Sequence, residues 1–303
     1  MGVWLAIGIG GCANRPGAET LPAAKSKSAD RPAPLNVGTR PESVTKGFGG
    51  RLYVSVMSGQ QPGDGVIKVI KDGAAEVFAT GLDEPKGLAF TGEYLVTTDL
   101  KRVWKIDAQG RATVLVEEKD FPKPVSFLND TAKAEGQSVY VTDMGARDRI
   151  YGPAGLWPLD SAEAAALPVI GRVYRIWLDG RVEVVVDTNA DMACPNGVAA
   201  DPRGGLLVAE FFKGNLLSVR DGEIRVLNTG YRGADGIERG ADGRIYVSSW
   251  TQGKVWRFDR KGKNPELLAE GFQSAADFYL DESAGTIVFP DMKAGTLNWL
   301  ALP

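Results

Sequence analysis

The sequence predicts an all-β fold, a six-bladed β-propeller of four-stranded blades. Three observations carry this: one phrase recurs six times, each unit holds about four β-rich runs in about 40 residues, and D-G or K-G turns close its hairpins. The 38 glycines suit a chain of many tight turns. A helical fold would have to accommodate them in helix interiors. The one helix-like stretch runs from Ser161 to Leu167.

Each repeat element can be followed in order. An apolar innermost run follows a small turn, and a β-rich second run comes next: RLYVSV, EYLVTT, SVYVTD, GLLVAE, RIYVSS and TIVFPD in the six units. Third runs end in hydrophilic turns, as in VIKVIKDG, RVWKIDAQG, RVYRIWLDG, NLLSVRDG and KVWRFDRKG. Fourth runs are β-branched, as in RATVLVE and RVEVVVD. The last unit stops after TLNWLAL without a fourth run, and the segment around Leu35 to Thr39 is expected to supply it. Such closure removes an exposed sheet edge.

The propeller is therefore assigned to residues 36–303. Residues 13–35, rich in Ala, Pro, Ser and Lys without hydrophobic period, read as a flexible linker. Residues 1–12 read as the end of a signal peptide, with Ile9-Gly10-Gly11-Cys12 resembling a bacterial lipobox and Cys12 the lipidated residue. Export to the periplasm, or lipid anchoring to a bacterial envelope membrane, is the expectation. With Cys12 lipidated, Cys194 has no disulfide partner.

Composition narrows the chemistry. A net charge of -3 speaks against a nucleic-acid partner. The absence of histidine removes Ser-His and Cys-His nucleophile pairs, an imidazole base and the usual zinc sites. Carboxylates, amides, hydroxyls, lysine and a hard metal remain.

Aligning the units on their innermost strands gives one column: Glu42, Lys86, Asn129, Asn196, Asp235 and Ala276. In a propeller these positions ring the channel at its top. Four carry carboxylate or amide oxygens, and the two acids match the charge of one divalent ion. Calcium is expected; zinc, magnesium and manganese are the alternatives. A second column at the ends of the second strands reads Asp99, Asp143, Glu210, Ser249 and Asp291, four acids and a serine expected to surround the first ring or accept a proton. Lys86, Asp130, Asp143 and Glu210 are the candidates for that surrounding shell. An insertion of about 25 residues after Asp143 places Arg147, Arg149, Tyr151 and Trp157 as candidate lid residues.

PESV at Pro41, FLNDTA at Phe127, CPNGVAAD at Cys194 and ADGIERGADGRIYVSSW at Ala234, in this order, resemble the diagnostic segments of the senescence marker protein, gluconolactonase and luciferin-regenerating enzyme family. The resemblance covers nearly all of residues 36–303. It implies a calcium or zinc ion held by Glu42, Asn196 and Asp235, with Asn129 contacting substrate or completing the shell. It also implies lactone hydrolysis, with Asp235 in the acid/base role. Two positions depart from the family pattern: Phe127 stands where sugar-lactone enzymes carry arginine, and Lys86 occupies the ring. Both favour a less polar lactone, or a lost activity, over an aldonolactone.

The expected function is a monomeric, metal-dependent hydrolase that opens a five- or six-membered lactone or a related ester. An Asp that ligates a cation is a poor base, so Asp143, Glu210 and Asp130 remain alternatives for the proton. The competing reading is a non-catalytic periplasmic binding or scaffold propeller with a structural metal.

Overall fold

The computed structural model describes residues 32–59 and 61–302, and Cys12 with its leader lies outside them. Six four-stranded antiparallel sheets are arranged in chain order. The first blade runs through Pro41–Lys46, Leu52–Val56, Gly65–Lys71 and Ala74–Leu82, from the innermost strand outward. The second comprises Pro85–Phe90, Leu95–Asp99, Arg102–Ile106 and Ala112–Val116. The third comprises Leu128–Lys133, Ser138–Asp143, Arg172–Trp177 and Val182–Val186. Pro195–Ala200, Leu206–Glu210, Leu216–Arg220 and Glu223–Asn228 build the fourth, and Ala234–Arg239, Ile245–Ser249, Lys254–Phe258 and Glu266–Ala269 the fifth. The sixth has Tyr279–Asp281, Thr286–Asp291 and Thr296–Ala301, and its outer strand is Leu35–Asn36. Leu35 pairs with Leu297, so the N-terminal segment closes the ring as expected, starting one residue inside the assigned linker.

Apolar side chains of adjacent blades share clusters, because alternation on a strand gives each sheet two apolar faces between neighbours. Val96 and Val103 pack with Val139 and Tyr174 across the second and third blades. Val54 and Val56 pack with Val288 and Leu297 across the first and sixth. A further cluster lies above the sheets, where Ile150 of the insertion is fully buried beside Met144, Cys194, Phe211 and Phe212. The helix-like stretch forms one short helix, Ala162–Ala165, with the Ser161 hydroxyl accepting from the Ala164 amide at 3.1 Å.

One irregularity repeats and positions the site. In each of the first five blades the innermost strand pairs normally at its first residue, and the register then slips by one. In the third blade Leu128 faces Asp143 and Thr131 faces Val141, so Asn129 and Asp130 together oppose Thr142. This is a β-bulge, which bends the strand and re-aims its side chains. The sixth blade has the same offset between the Ala275–Asp291 bridge and the Tyr279–Val288 pair.

Hydroxyls on the second strands satisfy the freed backbone. Ser55, Thr142 and Ser248 accept from the amides of Ser43, Asp130 and Gly236 at 3.0, 2.9 and 2.9 Å. Thr142 also donates to the Asn196 carbonyl of the next blade at 2.7 Å, and Thr98 donates to the Asn129 carbonyl. Blades approach so closely here that a Cβ at Gly197 would overlap the Asp235 carbonyl oxygen.

Candidate functional site

The bulges bring Glu42, Lys86, Asn129, Asn196 and Asp235 to the wall of one cavity of about 270 Å³ at the top of the channel. All five are buried. Ala276, the sixth member of the column, contributes no polar atom.

Four acceptor oxygens in this cavity have no donor among the described residues: Glu42 Oε2, Asn129 Oδ1, Asn196 Oδ1 and Asp235 Oδ1. Buried polar atoms are normally paired, so four orphans of one type around one cavity define a site for something that accepts lone pairs. Asn129 is oriented for this, since its amide nitrogen donates to Met144 Sδ at 2.8 Å and leaves the oxygen free.

Charge points the same way. Burial, together with Asp235 and Asp277 and against Lys86, pushes the Glu42 carboxyl well above its ordinary value. Burial, Asp277 and Asp130 push Asp235 up likewise, with the Asn196 amide opposing. Two buried carboxylates facing one cavity favour their neutral forms, and a bound cation would reverse that preference. Among the described residues no three acids or thiols converge on one point. The donor set here is two carboxylates and two amides, all oxygen, which fits a hard cation such as calcium.

Asp143 and Glu210 do not line the cavity. The Asp143 carboxylate accepts from the amides of Ser126, Phe127 and Gly145, and Glu210 accepts from those of Cys194, Lys213 and Gly214. Asp99 and Asp291 serve the same purpose in their own blades. These acids fasten the loop that leads into each innermost strand. Burial nonetheless raises Glu210 to about 7.

Asp130 faces the lower channel, where its two oxygens accept from the Thr131 and Val198 amides, each at 2.7 Å. Asp277 lies on that level too, taking the Ser43 hydroxyl at 2.5 Å, and burial lifts it to about 6. The sequence reading passed over Asp277; the column one position beyond the first ring, through Ser43 and Asp130, carries its signal.

Of the lid residues, Arg147 and Tyr151 line the cavity, while Arg149 is exposed outside it. Trp157 is half-buried in the apolar cluster below the insertion, and its carbonyl accepts from Arg232 Nη2 at 2.6 Å. The insertion is thus a fixed wall anchored by Ile150 and Trp157. Phe127 lines the cavity as expected, joined by Met57, Met144, Phe211, Trp250 and Met292. Each of these five directly follows a second strand, a repeating position that the sequence displays. Arg40 and Glu84, also on the wall, precede their innermost strands and share the column of Phe127, two positions before the ring residue of each blade.

A family model, the SMP-30/gluconolactonase/LRE-like region, matches residues 62–270. Two solved structures share the fold. One is a calcium-binding protein, regucalcin, from Agrobacterium tumefaciens str. C58, with 16% identity, 89% of this chain and 91% of that chain covered, and a TM-score of 0.65. The other is a gluconolactonase from Xanthomonas campestris, with 19% identity, 91% and 99% covered, and a TM-score of 0.60. No curated protein matches the chain.

Proposed function

Because the chain belongs to the SMP-30/gluconolactonase/LRE-like family, we propose that it is a lactonase dependent on one divalent cation, calcium in the first instance. The observation that carries this reading is the set of four unpaired oxygens on Glu42, Asn129, Asn196 and Asp235 in one buried cavity. Glu42, Asn196 and Asp235 would hold the ion, with Asn129 completing the shell or meeting the substrate. When bound, the cation supplies Lewis-acid stabilisation of charge developing on a carbonyl oxygen.

The residues supply the rest. Hydrolysis adds water across the acyl C–O bond: the oxygen of water joins the carbonyl carbon, and its protons end on the acceptor and on the departing alkoxide, giving a hydroxy acid. Three carboxylates line the cavity, Glu42, Glu84 and Asp235. Glu84 is engaged by Lys86 and Arg40, and Asp130, Asp143 and Glu210 by backbone amides, which leaves Glu42 and Asp235, and the family resemblance favours Asp235 as the group that moves the proton. The apolar wall of Phe127, Phe211 and Trp250 would leave sugar hydroxyls unpaired, at about 1 to 3 kcal/mol for each buried loss. That favours five- or six-membered lactones with apolar substituents.

A panel of such lactones, assayed with calcium and with chelator, tests the reading. Hydrolysis that requires the ion and disappears in Asp235→Ala is expected. A calcium-loaded, folded protein inert on every lactone and ester would leave a binding propeller as the better account.

A further inference from the structure

One side of the cavity carries more positive charge than its acids balance. Arg40, Lys86 and Arg147 all line it. Lys86 Nζ lies 3.4 Å from Glu84 Oε2, and Arg40 Nη2 lies 3.5 Å from Glu84 Oε1, so one carboxylate serves two cations at long range. Among the described residues Arg147 forms an ion pair only with Asp148, whose side chain is 76% exposed; an ion pair so open to water holds its partner weakly. Phe127 gathers two of the cations, with its ring centroid 4.5 Å from Lys86 Nζ and 4.4 Å from Arg147 Cζ. The other two acids on the wall, Glu42 and Asp235, direct unpaired oxygens at the cation site; Glu42 and Lys86 feel each other's charge, but among the described residues neither acid forms an ion pair with these bases.

Lys86 is only 4% exposed; its ammonium donates to the Glu84 carbonyl at 3.1 Å and reaches the Glu84 carboxylate at 3.4 Å, and a buried ammonium has room for a third acceptor and is costly without full compensation. A neutral lactone would leave that cost in place. The blades across the channel present Phe211, Trp250 and Met292, none of them charged, and the one donor among them, the Trp250 indole N–H, is given to Met292 Sδ at 3.2 Å. We propose that the substrate carries a carboxylate beside its lactone ring, bound by Arg147, Lys86 and Arg40, with its apolar remainder against Phe211 and Trp250. A carboxylate suits the planar Arg147 fork and the small cavity, and desolvation disfavours the more highly charged phosphate. The lactone ring in this substrate rests on the function proposed above; the carboxylate site does not.

The test separates the two. Binding of cyclopentanecarboxylate and of cyclopentanecarboxamide, neither of which contains a lactone, is measured by calorimetry on calcium-loaded and chelated protein. The acid is expected to bind at least about tenfold more tightly than the amide, as hydrogen bonds to charged groups imply. Arg147→Met, with its melting curve recorded to verify folding, should lower that ratio several-fold. Equal binding of acid and amide would overturn the proposal. So would a preference that persists undiminished in Arg147→Met, because the carboxylate would then be sitting on calcium. Inorganic phosphate binding more tightly than the acid would overturn the carboxylate assignment. In parallel, γ-butyrolactone-γ-carboxylate should be hydrolysed with higher kcat/KM than the corresponding carboxamide. Equal hydrolysis of both, without a binding preference, leaves the lactonase reading and removes this one. A binding preference without hydrolysis of either does the reverse.

Discussion

Replacing Asp235 by Asn removes one of two buried carboxylates whose charges oppose each other while keeping nearly the same shape. In chelator, Glu42 and Asp235 are each raised above their ordinary values of 4.5 and 3.8, chiefly by burial. An acid with a raised folded-state pKa costs nothing below its ordinary value and destabilises the fold increasingly as pH rises towards the raised value. At about pH 8 the metal-free Asp235→Asn protein should therefore melt no lower than metal-free wild type. Calcium at one hundred times its dissociation constant should stabilise wild type by about 2.7 kcal/mol. At about 2 to 4 °C per kcal/mol for a domain of this size, the melting temperature rises by about 5 to 10 °C. The variant should show little of that rise, and the wild-type rise should be larger at about pH 8 than at about pH 5. Differential scanning fluorimetry across pH, with calcium and with chelator, reads all of this. An equal calcium response in both proteins would refute the ligand assignment. A variant strongly destabilised in chelator would make Asp235 a structural residue.

Thr142→Val deletes the hydroxyl that joins the Asp130 amide to the Asn196 carbonyl; urea unfolding should show a loss of about 1 to 3 kcal/mol, together with weaker calcium binding, and an unchanged midpoint would remove the hydroxyl from the account. Ile150→Ala empties a fully buried position under the insertion and should cost about 2 to 5 kcal/mol, whereas a cost near zero would mean that the insertion is a loose flap. In a bacterial host expressing the protein with its upstream reading frame, palmitate labelling should depend on Cys12 and be lost in Cys12→Ser; unlabelled protein in the soluble cytosolic fraction would make the lipobox accidental.

The propeller was legible because its repeat is periodic, and periodicity places Glu42, Asn129, Asn196 and Asp235 in one ring even though each alone is an ordinary turn residue. The bulges left no such mark. One extra residue per innermost strand does not disturb a short apolar run, yet it turns Asn129 inward and sends Asp130 to the lower channel. The acids ending the second strands were open to two readings for a related reason. An acid at a strand end reads alike whether it faces a cavity or fastens a loop, and only the buried amides around Asp143 and Glu210 decide. Arg147 and Arg149 were indistinguishable in sequence, but a single tight turn exposes one and brings the other over Phe127. The cationic side of the cavity was half visible, since Lys86 stands in the ring column while Arg40 shares its column with Glu84 and Phe127, residues too unlike in chemistry to give a common signal.

A crystal structure grown in millimolar calcium tests the central claim most directly. One ion should stand at about 2.3 to 2.6 Å from oxygens of Glu42, Asn196 and Asp235, with Asn129 on its shell or one water away. A well-ordered cavity without an ion there, or an ion bound only elsewhere, would contradict it.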